Sequence, residues 1–185
     1  MMTIFVSVAG RFGINSKEAE RFFKFAVVGA IGFVVDFGIF NLLINPFQAL
    51  LTEGSGWYQF LAGQGMSAEQ IFTLVPTLAG TVSFIAAIIS NFIWNRYWTY
   101  PDSRSKPLGK QFVQFVLVSI TGIVIRVPII AFTHRPFTSL VMRTMAFLAD
   151  YAVRIGKNLA LALSVVIVMF WNFFVNRYWT YNDVD

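Results

Sequence analysis

Four long apolar runs constrain this chain more than any other feature of its sequence. They cover residues 22–44, 71–94, 112–133 and 158–175. Each is close to the roughly 20 residues that a helix needs to cross the hydrocarbon core of a bilayer. The first run carries two charges, the third carries one, and the other two carry none. We therefore predict an all-α membrane protein with four transmembrane helices.

The composition agrees with a membrane location and excludes several classes of function. The chain is 57% hydrophobic and 12% charged, whereas soluble domains are about 25% charged. It has no cysteine and a single histidine, His134, which excludes thiol chemistry and argues against histidine-rich metal sites and Ser-His-Asp triads. The net charge of +5 comes from basic residues beside the apolar runs, which suits an anionic membrane surface better than nucleic acid. We expect no cofactor, no metal ion, no enzymatic activity and no cleaved signal peptide.

The hexapeptide NRYWTY occurs twice, at residues 95–100 and 176–181. Each copy follows one of the even-numbered apolar runs. The openings of the odd-numbered runs also align, Arg21–Phe25 with Gln111–Phe115, at an offset of 90 residues. The chain is therefore interpreted as a two-helix unit written twice. Because each unit crosses the bilayer an even number of times, the two repeats are predicted to be parallel, with a pseudo-twofold axis along the membrane normal.

This interpretation divides the chain into five parts. Repeat 1 covers 21–100 and repeat 2 covers 111–181. A basic cytoplasmic linker, 101–110, joins the repeats, and a cytoplasmic segment, 1–20, and a tail, 182–185, flank them. Within repeat 1, Ser67 and Gln70 have the spacing of a capping box that opens the second transmembrane helix.

The distribution of lysine and arginine predicts the orientation in the membrane. Nine of these residues lie in the N-terminal segment, the central loop region and the tail, against four in the loop between the third and fourth runs. By the positive-inside rule both termini are cytoplasmic. Residues 137–157 in that last loop are amphipathic at helical spacing. They are interpreted either as a helix lying in the membrane interface or as a lid over a cavity.

Two opposite charges occupy equivalent positions inside the apolar runs, Asp36 in repeat 1 and Arg126 in repeat 2. Small residues share the helix faces of these charges: Gly29 and Gly32 lie beside Asp36, and Gly122 lies beside Arg126. Small residues mark close approaches of membrane helices, so both charges are predicted to point inward. They are interpreted either as an ion pair that fixes helix packing or as a site for a lipid headgroup.

The NRYWTY copies are predicted to lie at the cytoplasmic interface, where Trp and Tyr anchor helices. Arg96 and Arg177 then either snorkel as anchors or bind the phosphate of a lipid or substrate. The amides Asn91 and Asn95 are four residues apart on one helix face, and Asn172 and Asn176 repeat that spacing. Amides in a bilayer bond across helices, so these four are predicted to hold helices together.

The opening F-x-K-F-x-x-V-G-x-x-G-x-x-x-D, from Phe22 to Asp36, and the ending N-R-x-W, from Asn95, resemble the GtrA-like family. The resemblance covers roughly residues 20–181. It implies small four-helix proteins of the bacterial inner membrane that act in cell-surface polysaccharide synthesis. It also implies movement of a polyprenyl-phosphate-linked monosaccharide across the membrane, often beside a glycosyltransferase. Lys24, Asp36, Asn95 and Arg96 match the family pattern.

The predicted function is therefore a flippase for a polyprenyl-phosphate-sugar lipid. Lys24, Arg96 and Arg177 are expected to attract its phosphate, and Asp36 and Arg126 to line the path. No Walker-type ATP-binding motif is present. The alternatives are a non-transporting subunit that anchors a membrane glycosyltransferase and a proton-coupled exporter of cations. Four helices form a thin wall around a headgroup, so a homo-oligomer is also plausible.

Overall fold

Helices account for all the regular secondary structure of the part of the chain that the computed structural model describes, residues 1–184 except 12 and 14. Six α-helices follow in order: α1 (Met2–Arg11), α2 (Ser16–Leu50), α3 (Gly56–Gly63), α4 (Ala68–Trp94), α5 (Leu108–Thr144) and α6 (Ala152–Val175). Two short π-helices follow α4 and α6, the first π-turn (Asn95–Thr99) and the second π-turn (Asn176–Thr180). A 3₁₀ segment, Ala146–Tyr151, precedes α6. The predicted all-α fold is confirmed.

Four helices are long and apolar enough to cross a membrane, namely α2, α4 with its π-turn, α5, and α6 with its flanking turns. This confirms the predicted number of spans. The helices extend beyond most of the apolar runs: the run 22–44 lies inside α2, which has 35 residues. The reason is that an apolar run measures only the hydrocarbon layer, whereas polar and capping residues continue the helix. At the start of α2, the Asn15 side chain accepts a hydrogen bond from the Lys17 amide at 2.8 Å.

The chain forms two compact units, a first unit of Met1–Pro101 and a second unit of Asp102–Asp185. In the first unit α2 packs against α4, and α1 packs on α2. In the second unit α5 packs against α6. Of the expected flanking segments 1–20 and 182–185, residues 12, 14 and 185 lie outside the described part of the chain.

The segment between α2 and α4 closes one end of the first unit. Ser55 caps α3, since its hydroxyl accepts from the Tyr58 amide at 3.1 Å and donates to the Leu50 carbonyl at 2.7 Å. A buried apolar cluster of Leu51, Ile71 and Val75 lies beneath it. The predicted capping box is confirmed: Ser67 Oγ accepts from the Gln70 amide at 3.2 Å, and Gln70 Oε1 accepts from the Ser67 amide at 2.8 Å.

The amphipathic stretch 137–157 is divided among three elements and does not form one separate helix before the fourth span. Residues 137–144 are the last turns of α5, 146–151 form the 3₁₀ segment, and 152–157 begin α6. The physical reason is a close contact between the two long helices. A Cβ added to Gly156 would stand 2.2 Å from Thr138 Oγ1 and 2.6 Å from the Thr138 backbone nitrogen. The stretch 137–157 therefore forms the connection between α5 and α6 together with the adjoining ends of both helices.

Candidate functional site

A glycine and an asparagine face each other where α2 meets α4. A Cβ added to Gly32 would stand 2.2 Å from Asn91 Oδ1 and 2.5 Å from Nδ2. The Asn91 amide thus lies directly on the α2 backbone, and any larger residue at position 32 would have to displace it. In the second unit a Cβ on Gly122 would stand 3.0 Å from Val168 Cγ1 and 3.2 Å from Asn172 Oδ1. The two units therefore repeat one helix contact, more tightly in the first.

The third glycine of the predicted set behaves differently. Gly29 is exposed, and the described residues leave open space within 4 Å of an added Cβ. No contact within the first unit requires a glycine there. Spacing along the helix predicted that Gly29 and Gly32 share the face of Asp36, but of the two glycines only Gly32 meets α4.

One turn further along α2, Asp36 accepts a hydrogen bond from α4. Ser83 Oγ donates to Asp36 Oδ1 at 2.5 Å, and Ser83 is buried while Asp36 is half-buried. Since Gly32 faces Asn91 and Asp36 faces Ser83, α2 and α4 run antiparallel. A carboxylate at this depth is costly unless polar groups surround it, and Ser83 supplies one of them. Ser83 aligns with Ser164 at the same offset of 81 residues that separates the two NRYWTY copies.

The second unit has the opposite charge at the matching position. Arg126 lies on α5 and is exposed. Ser164, the counterpart of Ser83, is buried and donates to the Leu161 carbonyl of its own helix at 2.7 Å. Asp36 and Arg126 belong to different units, and the pairing of their charges stays a prediction.

Each copy of NRYWTY forms a π-turn. The Tyr100 amide donates to the Asn95 carbonyl at 2.8 Å, and the Tyr181 amide donates to the Asn176 carbonyl at 2.8 Å. These bonds span five residues, so each turn is one residue wider than an α-helical turn. Tyr100 and Tyr181 are both fully buried. Single π-helical turns occur frequently at functional sites, and the repeated hexapeptide encodes this backbone feature twice.

Cations from α2 lie against the aromatic rings beside the first π-turn. The Lys24 ammonium lies 5.9 Å from the centre of the Trp98 ring and 2.6 Å from Glu20 Oε1. The Arg21 guanidinium lies 5.9 Å from the centre of the Tyr100 ring. These two contacts bring α2 against the turn that contains Arg96, which is buried. A cation over an aromatic face is attracted by the ring quadrupole.

Sequence reasoning found Lys24 and Arg96 but not the role of Arg21. Arg21 is 4% exposed, and its Nη1 donates to Glu18 Oε1 at 2.7 Å. The one sequence signal for Arg21 was its position at the start of repeat 1, where it aligns with Gln111. Its burial against Tyr100 follows only from the packing of α2 on the π-turn.

The second unit replaces both cations by amides, Gln111 at the position of Arg21 and Gln114 at that of Lys24. Gln111 is fully buried, and its Nε2 donates to Ser103 Oγ at 2.5 Å. The Ser103 hydroxyl in turn donates to the Asp183 carboxylate. Neither glutamine Oε1 has a donor among the described residues. This chain of bonds joins the start of α5 to the end of the chain without a cation at either aligned position.

Two further residues of the linker bind the C-terminal part of the second unit, Ser105 at Asp183 and Lys106 at the second π-turn. Ser105 donates to Asp183 Oδ2 from its amide at 3.1 Å and from its hydroxyl at 2.7 Å. Burial alone would raise the pKa of Asp183, but the hydrogen bonds from Ser103 and Ser105 outweigh it, and this pKa lies below its ordinary value. Lys106 Nζ donates to the Trp179 carbonyl at 2.7 Å and to the Thr180 carbonyl at 3.2 Å. Burial lowers the pKa of Lys106, although the Asp183 carboxylate opposes this shift.

Among the described residues Asn176 bonds within its own helix and turn, and the bonds of the four asparagines across helices stay a prediction. Asn176 Nδ2 donates to the Asn172 carbonyl of its own helix at 2.8 Å, and Thr180 Oγ1 donates to Asn176 Oδ1 at 2.8 Å. The buried Oδ1 atoms of Asn91 and Asn172 have no donor among the described residues, and the same holds for Asn95. Arg177 is half-buried, with its guanidinium 5.6 Å from the centre of the Tyr178 ring.

No group of three His, Asp or Glu side chains in the described part of the chain has the geometry of a metal site.

Comparison with known proteins places these features in a family. The family described as GtrA/DPMS, transmembrane domain, matches residues 24–181. The chain is similar to the uncharacterized membrane protein YngA of Bacillus subtilis strain 168, 26% identical over 113 residues. It is also similar to a dolichol-phosphate mannosyltransferase of Pyrococcus furiosus, 22% identical over 108 residues. These matches cover 61% and 58% of this chain, but only 58% of the first relative and 23% of the second. Because the family match spans most of the sequence, this chain belongs to the GtrA/DPMS transmembrane domain family and is a multi-pass membrane protein.

Proposed function

We propose that this protein moves a polyprenyl-phosphate-linked monosaccharide across the bacterial inner membrane, for the synthesis of cell-surface polysaccharide or glycolipid. Membership of the family supports the proposal. So does the similarity to a dolichol-phosphate mannosyltransferase, whose name combines a polyprenyl phosphate with a sugar. In the proposed topology both termini and both π-turns face the cytoplasm.

The observation that carries the proposal is the position of Lys24. Its ammonium lies over Trp98 and pairs with Glu20, whose side chain is 40% exposed. The Lys24 side chain is 18% exposed, so this ion pair is partly open to solvent at the edge of the helix contact. The phosphodiester of the lipid carries one negative charge, as a carboxylate does, so it can take the place of Glu20 beside the Lys24 ammonium. Arg96 in the same unit adds positive charge near the turn, and Arg177 does so in the second unit.

Deeper in the membrane, Asp36 and Ser83 offer a carboxylate and a hydroxyl side by side. Sugar hydroxyls both donate and accept hydrogen bonds, so this pair suits the polar sugar rather than the tail. In the second unit, Arg126 is the charged residue that we propose for the path of the headgroup. A sugar phosphate cannot enter hydrocarbon without such partners. In the proposed mechanism the headgroup follows these groups while its tail stays in lipid, and movement follows the gradient of the lipid or a coupled partner.

Transport into proteoliposomes of a fluorescently labelled polyprenyl-phosphate-sugar tests the proposal. We expect Lys24→Gln, Asp36→Asn and Arg126→Gln each to slow transport at least about ten-fold, since each removes a charge-assisted hydrogen bond. Lys17→Gln is the control, because Lys17 is an exposed cation of the same helix. No movement by the wild-type protein would contradict the proposal. Full transport rates in both Asp36→Asn and Arg126→Gln would remove these two residues from the mechanism.

A second candidate function is a non-transporting subunit that anchors a membrane glycosyltransferase. It is favoured because the match with the Pyrococcus furiosus enzyme covers only 23% of that protein. The conserved membrane unit thus occurs as a minor part of a longer protein named as a transferase. Stable co-purification with such an enzyme, together with no lipid movement by this protein alone, would favour this alternative.

A further inference from the structure

The two copies of NRYWTY have the same residues but different hydrogen bonds. In the second π-turn, Thr180 Oγ1 donates to Asn176 Oδ1 and Asn176 Nδ2 donates to the Asn172 carbonyl. In the first π-turn, Asn95 Oδ1 and Thr99 Oγ1 have no hydrogen-bond partner among the described residues. Asn95 is 2% exposed and Thr99 is 1% exposed. Two buried polar atoms are thus left available in one copy and bonded in the other.

The residues that the odd-numbered spanning helices place beside the two turns also differ, since they are charged in the first unit and neutral in the second. Beside the first π-turn, α2 places Arg21 and Lys24. The aligned residues beside the second π-turn are the neutral Gln111 and Gln114. The second π-turn is also held by the linker, because Lys106 donates to two of its carbonyls. The first turn therefore combines neighbouring cations with polar atoms that lack hydrogen-bond partners in the described part of the chain. In the second turn the equivalent polar atoms bond each other, and Lys106 bonds the backbone of the turn.

We propose that the first π-turn recognises the sugar of the transported lipid, and that the second π-turn is a structural copy. This inference rests on the proposed function and adds a subsite to it. Lys24 binds the phosphate, while Asn95 Oδ1 and Thr99 Oγ1 exchange hydrogen bonds with hydroxyl groups of the sugar. An amide oxygen only accepts, whereas a threonine hydroxyl donates or accepts. Adjacent sugar hydroxyls satisfy both requirements at once, which a bare phosphate does not.

The packing of α2 on the first π-turn indicates how the sugar reaches these atoms. Asn95 and Thr99 are covered, while Lys24 and Trp98 are half-buried at the edge of the same contact. Lys24 lies over Trp98, the residue before Thr99, so a headgroup bound by Lys24 is brought to the turn that contains the buried atoms. Buried polar atoms without partners destabilise the closed contact. Opening α2 from the turn thus becomes easier, and binding of a sugar supplies the missing hydrogen bonds.

Matched substitutions in the two turns test the inference. The full chain in nanodiscs is titrated with undecaprenyl phosphate and with undecaprenyl phosphates bearing glucose, mannose or N-acetylglucosamine. We expect wild type to bind one of the sugar-bearing lipids about ten-fold more tightly than the sugar-free lipid. Thr99→Val should remove this preference without lowering Tm, and Thr99→Ser should keep it. Thr180→Val should retain the preference and lower Tm by about 2–4 °C, because Asn176 Oδ1 loses its donor.

Amide hydrogen exchange gives a second readout that needs no variant. The sugar-bearing lipid should slow exchange in Asn95–Thr99 more than the sugar-free lipid does, and should leave Asn176–Thr180 unchanged. The inference would be overturned if wild type bound the sugar-free lipid as tightly as every sugar-bearing lipid. It would also be overturned if Thr99→Val and Thr180→Val had the same binding preference and the same Tm. Transport can still be intact in that case, so failure of this subsite is distinguished from failure of the flippase proposal.

Discussion

The contact of α2 with α4 and the contact of α5 with α6 share an apolar framework and differ in their polar groups. The aligned pairs of buried residues include Val28 with Val118, Ala79 with Ala160, Phe92 with Phe173 and Tyr100 with Tyr181. Against this common framework, the first unit places Lys24 and Asp36 where the second places Gln114 and Arg126. The comparison teaches that the packing residues and the polar residues of NRYWTY were kept in both copies, while the charges on the odd-numbered spanning helices changed. The polar differences are therefore the place to look for function.

The two contacts also differ in what meets at their closest point. In the first unit an asparagine side chain lies on Gly32, whereas in the second the Thr138 backbone lies 2.6 Å from an added Cβ at Gly156. A side chain can rotate away, but a helix backbone cannot move without displacing the helix. The first contact is thus the more adaptable of the two.

The largest expected effect comes from Gly156→Ala. The added methyl must push α5 and α6 apart, so we expect a loss of about 3 kcal/mol in the free energy of unfolding, at the upper end for overpacked interiors. Gly32→Ala should cost about 1 kcal/mol, since the Asn91 amide can move. Gly29→Ala is the control and should be neutral or slightly stabilising. Thermal unfolding in detergent measures all three, and a Gly32→Ala loss as large as that of Gly156→Ala would break the comparison.

An intermediate effect is expected from Ser83→Ala. This change removes the hydroxyl that donates to Asp36, and hydrogen bonds to charged groups contribute about 1.5–3 kcal/mol. Ser164→Ala should cost less than about 1 kcal/mol, because Ser164 bonds only a carbonyl of its own helix. Denaturation of both variants in an Asp36→Asn background completes the cycle. The Ser83 effect should shrink there and the Ser164 effect should not. Equal losses in both backgrounds would show that the Ser83 to Asp36 bond contributes nothing.

The smallest effect is a pH dependence confined to the second unit. The pKa of Asp183 is lower in the folded protein than its ordinary value, so its bonds to Ser103 and Ser105 stabilise the fold at neutral pH. This stabilisation should be lost as the pH falls from about 3.9, the ordinary aspartate value, through the lower folded pKa. We expect Tm to decline over this interval in wild type and less in Asp183→Asn. An identical decline in both proteins would assign the acid sensitivity to other carboxyl groups.

Much of the fold followed from local sequence. Apolar runs predicted four spanning helices, and the Ser67 to Gln70 capping box was predictable because it involves four adjacent residues. The wider geometry of NRYWTY was not, since a π-turn differs from an α-helix by one residue and leaves no periodic pattern. The division of 137–157 depended on the backbone contact at Gly156, which no spacing rule reveals. The bond from Ser83 to Asp36 joins residues 47 positions apart, and the bond from Lys106 to Trp179 joins residues 73 positions apart. Such bonds could be identified only once the packing of the helices was known.

The lengths of α2 and α5 have a consequence for how the protein meets its membrane. At 1.5 Å per residue, their 35 and 37 residues extend about 52 and 55 Å. The hydrocarbon layer is about 30 Å thick. Even a tilt of about 40°, the upper end of the usual range, leaves about 40 Å along the membrane normal. Both helices must therefore emerge into the headgroup layers on one or both sides, where their ends meet lipid phosphates and water rather than acyl chains.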